Sequence, residues 1–269
     1  MTYLTHIPEL RDTALAALAL CAFSCLALAS HLHVRFFDHH GVHTLQVYAG
    51  ILAAVTGSAF LILGPAALLR APGWGLAAGL VLGTGAGPLI AAADTAITRR
   101  LGRRTASRVA RPVRGPAARP QARATRPVGQ AARLTGAKPT RSADRRWTPN
   151  RRDTDVALPL VWLVTVGVLE EFVFRGVLTG VAMALPGWGT RTLVLTLATA
   201  AFALSHIFFG WAQVVAKLPL SLATLAITLA TGNVLGAAVA HALFNFRIWR
   251  YQATVRTAAI SIATGEVAP

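Results

Sequence analysis

The sequence predicts an all-α polytopic membrane protein of about seven transmembrane helices, with a C-terminal four-helix core that holds its polar residues. Three observations carry that expectation. Hydrophobic residues make up 54 % of the chain against 13 % charged, with a mean hydropathy of +0.54, a balance unlike that of a soluble domain. Apolar runs of membrane-spanning length recur, divided by Gly, Pro and Trp breaks. Three of the last four runs also carry polar pairs four residues apart, a costly pattern in lipid.

The formal net charge of +16 would by itself suggest a nucleic-acid partner. Its location argues otherwise. Between Arg99 and Asp153 stand 17 Lys and Arg against Asp144 and Asp153, a net of +15, so the rest of the chain is close to neutral. The chain therefore divides into a three-helix region (1–98), a basic linker (99–155), a core (156–250) and a tail (251–269). The linker is rich in Arg, Pro and Ala, has one aromatic residue, Trp147, and buries too little apolar surface to fold. It reads as a disordered positive-inside segment attracted to anionic lipid at about 1 kcal/mol per basic residue, with no nucleic acid expected.

The first helix is expected over 13–32 and is read as a retained span rather than a signal peptide, because Arg11 is offset by Glu9 and Asp12. Its Cys21 and Cys25 fall on one face and offer no disulfide framework. His31, His33, His39, His40 and His43 follow in what reads as a polar interfacial loop, with metal binding the weaker alternative. The second helix is expected over 45–69, ending at Arg70-Ala-Pro-Gly, and the third over 74–97. Gly75, Gly79 and Gly83 form a small-xxx-small line for close packing in the third, Pro88 should kink it, and Asp94 should pair with Arg99 or Arg100.

Four helices are expected after the linker, over 156–182, 190–209, 214–231 and 234–250, with Trp188, Trp211 and Trp249 near their ends as an interfacial belt. A cytoplasmic linker places Arg247, Arg250 and Arg256 inside as well, so linker and C-terminus share the cytoplasmic side. Counting back through the first three helices leaves Arg70 on the outer side, against the rule. Lys217 lies near an end of its helix and is read as snorkelling to the interface.

The run 156–182 is 27 residues and about 40 Å long as a helix. Its fifteen Val, Leu and Phe residues favour insertion by about −5 to −9 kcal/mol. Glu170, Glu171 and Arg175 near its middle cost about +2.5 to +3.5 kcal/mol each, so the charges must face other helices. Glu171 and Arg175 are spaced for an intrahelical pair, leaving Glu170 free. Phe202-x-x-x-His206 puts a ring and an imidazole on one face of the fifth helix, and His241-x-x-x-Asn245 points into one space from the seventh. Each group alone is readable as interhelical glue; together they predict one site. A carboxylate and an imidazole can activate water, and His and Asn donors can stabilise an oxyanion. Zinc on Glu170, His206 and His241 is the alternative, without a His-Glu-x-x-His motif to support it.

The ordered set Glu170-Glu171-x-x-x-Arg175, Phe202-x-x-x-His206 and His241-x-x-x-Asn245 resembles the CPBP family, the CAAX-protease and bacteriocin-processing (Abi) intramembrane proteases. The resemblance covers about 156–250. It implies an intramembrane endopeptidase acting on a membrane-associated protein or peptide, with Glu170 as catalytic carboxylate and His206 as its partner on the water. It further implies that His241 and Asn245 line the oxyanion side and that Glu171, Arg175 and Phe202 support the site. The family is described both as glutamate-type and as metal-dependent, and the metal-free reading is favoured here. The Ala/Arg/Gly-rich composition points to a bacterial cytoplasmic membrane. The alternatives are a catalytically silent scaffold or immunity protein of the same fold, and a proton-relay transporter, disfavoured because no inverted repeat is visible.

Overall fold

The computed structural model describes residues 8–69, 73–109 and 159–264. Among the described residues seven long helices make up the fold, and one isolated bridge, Leu69 to Asn233, is the extended pairing. The all-α expectation holds. Helix α1 (Pro8–Leu32) continues through a π turn (His33–Phe37) and a 3-10 turn (Asp38–His40). The histidine-rich stretch is thus largely helical rather than a loop. His33 Nε2 lies 2.8 Å from the Val42 carbonyl. His43 Nδ1 accepts from the Leu45 amide at 3.1 Å and caps α2 (Thr44–Leu63). Helix α2 stops short of the expected residue 69 because Gly64 turns the chain at φ 78°; one further helical turn, Pro65–Leu68, follows.

Helix α3 (Gly73–Val109) runs past its expected end into the segment read as linker. Residues 99–109 contain no proline and five of the eleven are Arg, a good helix former, so the helix runs on through Gly102. The remainder of that segment, with Trp147, lies outside the described residues. Helix α4 begins after Pro159 as Leu160–Glu171, widens into a π turn at Phe172–Val177 and resumes as Leu178–Ala184. Helix α5 (Trp188–Leu204) ends before His206, which sits in the turn beyond it. Ser205 Oγ donates to the Phe202 carbonyl at 2.7 Å, competing with the helix ladder. Helix α6 (Trp211–Thr231) ends on Gly232, whose φ of 66° gives a left-handed cap. Helix α7 (Val234–Thr264) starts on Asn233, whose Oδ1 accepts from the Leu235 amide, and it continues through most of the expected tail.

The first three helices do not pack as one unit. Helices α1 and α2 pack on each other and on α4, whereas α3 packs on α6 and α7. Helices α3 and α7 run parallel: Gly79 meets Gly236, and Gly87 meets Ala240 and Leu243. A Cβ at Gly87 would stand 2.8 Å from both the Ala240 carbonyl oxygen and Leu243 Cβ, so only glycine permits this approach. The contact line is Gly79, Gly83 and Gly87, one turn further along than the sequence pattern placed it. At the far end Arg99 reaches the Tyr251 ring from 5.8 Å.

Among the described residues four segments are long and apolar enough to cross a membrane: Arg11–His40, Thr44–Leu63, Gly73–Leu101 and Trp211–Thr231. Their outward faces carry large apolar side chains such as Leu61, 82 % exposed. Such faces suit lipid rather than water, and the protein is an integral membrane protein.

Asp94 and Lys217 depart from expectation. Asp94 does not pair with Arg99 or Arg100, and Lys217 does not snorkel. The two meet inside the bundle, Nζ to Oδ1 at 2.7 Å, with Nζ 4.4 Å above the Phe244 ring. A 2.7 Å charge-assisted bond between two side chains facing the α3–α6 contact replaces the water that either would otherwise reach.

Candidate active site

The site forms where α4 crosses α2, α6 and α7. Glu171 and Arg175 are fully enclosed, and Glu170 and His241 nearly so. Arg175 Nε lies 3.4 Å from Glu171 Oε2, the i, i+4 pair expected from the spacing. Arg175 Nη2 donates to the Ser221 carbonyl at 2.9 Å and to Ser221 Oγ at 3.0 Å, and Ser221 Oγ passes a bond to the Thr199 carbonyl. Nη1 has no hydrogen-bond acceptor among the described residues. The guanidinium instead stacks on Phe202, 4.4 Å from Cζ to the ring centroid, so the π face takes the place of a missing acceptor.

Glu171 has a second partner that spacing along α4 did not reveal. His241 Nδ1 lies 2.8 Å from Glu171 Oε1, and because a carboxylate only accepts, Nδ1 carries the hydrogen. That bond fixes the ring and aims Nε2 at Glu170 Oε2, 3.8 Å away. The other oxygen of Glu170 accepts from the Tyr48 hydroxyl at 3.0 Å. Glu170 is therefore held between α2 and α7 rather than left without a partner.

The side-chain charges at the site pair off. Glu171 and Arg175 cancel. Glu170 and His241 then form a neutral pair in two ways, as carboxyl with imidazole or as carboxylate with imidazolium, and burial disfavours any state with net charge. Glu170 Oε2 and His241 Nε2 stand 3.8 Å apart, a gap that one water can bridge.

His206 and Asn245 sit at the margins of this cluster. His206 Nδ1 lies 3.2 Å from the Phe202 carbonyl, which leaves Nε2 as the ring's second functional atom. Phe202 contacts both imidazoles, its ring centroid 5.5 Å from that of His206 and 5.6 Å from that of His241. No hydrogen bond or ion pair joins His206 to Glu170 or Glu171 among the described residues. Asn245 Nδ2 donates to the Leu163 carbonyl at 2.7 Å and so ties α7 to α4. The approach is close because residue 167 is glycine: a Cβ there would stand 2.5 Å from Asn245 Nδ2.

A zinc centre would require Glu170, His206 and His241 to converge. Among the described residues no group of three His, Cys, Asp or Glu is placed to hold a metal ion. Glu170 and His241 face one another, but His206 does not join them in a group of three, so the arrangement does not fit a three-ligand centre.

Tyr48, Gly167, Thr199 and Ser221 are contributors that motif spacing did not single out. For Tyr48 the sequence carried no signal: it stands in the second turn of α2, near a helix end, where an interfacial tyrosine is ordinary. For Ser221 the signal was a hydroxyl on the helix that must satisfy a buried arginine.

Residues 152–247 match the family model described as Rce1-like, type II CAAX prenyl endopeptidase Rce1-like. No curated protein and no solved structure matches the chain. The matched stretch contains all three motifs and excludes α1, α2 and α3, and with them Tyr48 and Asp94. The match supports the reading of residues 152–247 as a domain of the CPBP, CAAX-type intramembrane protease family.

Proposed function

We propose that the protein is a glutamate-type intramembrane endopeptidase that hydrolyses a peptide bond of a membrane-associated protein or peptide at the Glu170–His241 pair. The observation that carries this reading is the buried carboxylate and imidazole 3.8 Å apart, each oriented from behind by its own partner, Tyr48 and Glu171. A water between Oε2 and Nε2 loses a proton to the pair as its oxygen attacks the carbonyl carbon. The tetrahedral oxyanion is met by the second N–H of the Asn245 amide, the first being given to the Leu163 carbonyl. The proton taken up by the pair then passes to the leaving nitrogen and the C–N bond breaks; the new carboxylic acid gives its remaining proton to the amine, and a carboxylate and an ammonium depart. Glu171 and Arg175 stay charged throughout and hold His241 in one tautomer. This assigns His241 to the water, closer to Glu170 than the sequence resemblance had it, and leaves the oxyanion side to Asn245.

The donor set supports acid–base chemistry by the protein's own groups. A prenylated CAAX tail is the substrate class that the family description favours, and a hydrophobic bacterial peptide or bacteriocin precursor is the second. The full chain, reconstituted in liposomes, should release the three C-terminal residues of an internally quenched, farnesylated CAAX peptide. Glu170→Gln should abolish release at unchanged expression and melting temperature. Equal release by both would remove Glu170 from the chemistry.

A further inference from the structure

We infer that Tyr48, on a helix outside the family-matched domain, is a positioning residue for Glu170 and that the catalytic unit is incomplete without α2; this rests on the reading of Glu170 given above.

The argument begins with the carboxylate. The last torsion of a glutamate side chain is broad and roughly two-fold, so packing alone does not fix which oxygen points where. Glu170 has one oxygen on Tyr48 and the other facing His241 Nε2. The bonds made by Glu171 and Arg175 go to His241 and Ser221, and neither of these groups reaches the first oxygen of Glu170 in a hydrogen bond. The Tyr48 hydroxyl is thus the contact that decides which carboxylate oxygen is presented to the water.

The helix that supplies it is built for that contact. Tyr48, Leu52, Val55 and Ala59 form a buried stripe on α2 at helical spacing, and α2 packs along α4. Tyr48 is 5 % exposed, and a hydroxyl buried so deeply needs an acceptor. The acceptor lies 122 residues away in sequence. The two groups meet only when the N-terminal helices are docked on the core. Orientation of the reacting groups is a large part of such a barrier, so losing the bond should slow turnover without weakening substrate binding.

The test uses the full chain in four forms: wild type, Tyr48→Phe, Glu170→Gln and the double variant. Phenylalanine keeps the ring and its packing. With the farnesylated CAAX peptide as probe, Tyr48→Phe should lower kcat by about 10- to 100-fold, the range expected for a hydrogen bond to a charged group, with KM unchanged. On the Glu170→Gln background it should cause no further fall in the residual rate. Thermal unfolding of the same four proteins in detergent should be non-additive, the double variant melting above the sum of the single shifts.

Full turnover by Tyr48→Phe, a rise in KM alone, or additive melting shifts would each overturn the inference. A wild-type protein that leaves the probe intact would count against the protease reading for that substrate, while the unfolding cycle would still decide whether Tyr48 holds Glu170.

Discussion

Replacing Gly167 by alanine gives opposite expectations from helix propensity and from the structure. Propensity alone favours alanine over glycine inside a helix by about 1 kcal/mol. The structure puts the added Cβ 2.5 Å from Asn245 Nδ2, 3.1 Å from His241 Cδ2 and 3.3 Å from His241 Cγ. Ordinary contact starts near 3.4 Å, so Asn245 must move by about 0.9 Å and His241 by about 0.3 Å. The Asn245 amide then leaves the Leu163 carbonyl, a loss of about 1 kcal/mol. Forcing the helices apart costs about 1–3 kcal/mol more. Against the propensity gain, the net is a destabilisation of roughly 1–3 kcal/mol. A shift of His241 relative to Glu170 should also slow turnover by about 10- to 100-fold.

The assay is thermal unfolding in detergent together with peptide release, with Gly85→Ala as control. Gly85 has nothing within 4 Å of its would-be Cβ, so alanine there should be neutral or slightly stabilising. If Gly167→Ala melts at or above the wild type and turns over normally, the packing described between α4 and α7 is wrong.

Two further expectations follow from the buried charges. Asp94→Asn or Lys217→Met alone should destabilise by about 3–5 kcal/mol, because each leaves an unpaired charge or donor inside the bundle, while Asp94→Leu with Lys217→Met should recover much of that loss. Unfolding temperatures of the three variants check this, and equal loss in singles and double would contradict it. Arg175→Lys keeps the charge but cannot hold both Ser221 oxygens and lie flat on Phe202. It should lower turnover strongly, whereas Ser221→Ala should cost only about 1 kcal/mol of stability.

The legible part of this protein was the part with internal contradictions. Glu170, Glu171 and Arg175 stood out because charges in an apolar helix must be met by other helices, and those helices carried their own polar pairs. The i, i+4 rule recovered Glu171 with Arg175. It could not recover His241 on Glu171 or Tyr48 on Glu170, since those partners lie 70 and 122 residues away. Asp94 and Lys217 were misread for the same reason. Each was judged against its neighbours in sequence, where Arg99 and the helix end offered local solutions, but the opposing helix offered a closer one. The extent of α3 was underestimated because Arg was treated as a linker signal, although it is also a good helix former. The glycine line was read correctly in kind and displaced by one turn, because a small-residue stripe does not say where its partner helix begins.

The most direct test of the central claim compares the N-termini of membrane proteins and peptides in host membranes carrying either the wild-type protein or Glu170→Gln, by mass spectrometry. New N-termini present only with the wild type are the expected result, and their sequences would name the substrate. Identical sets from two equally abundant, folded proteins would contradict the account and leave a membrane scaffold as the reading of this fold.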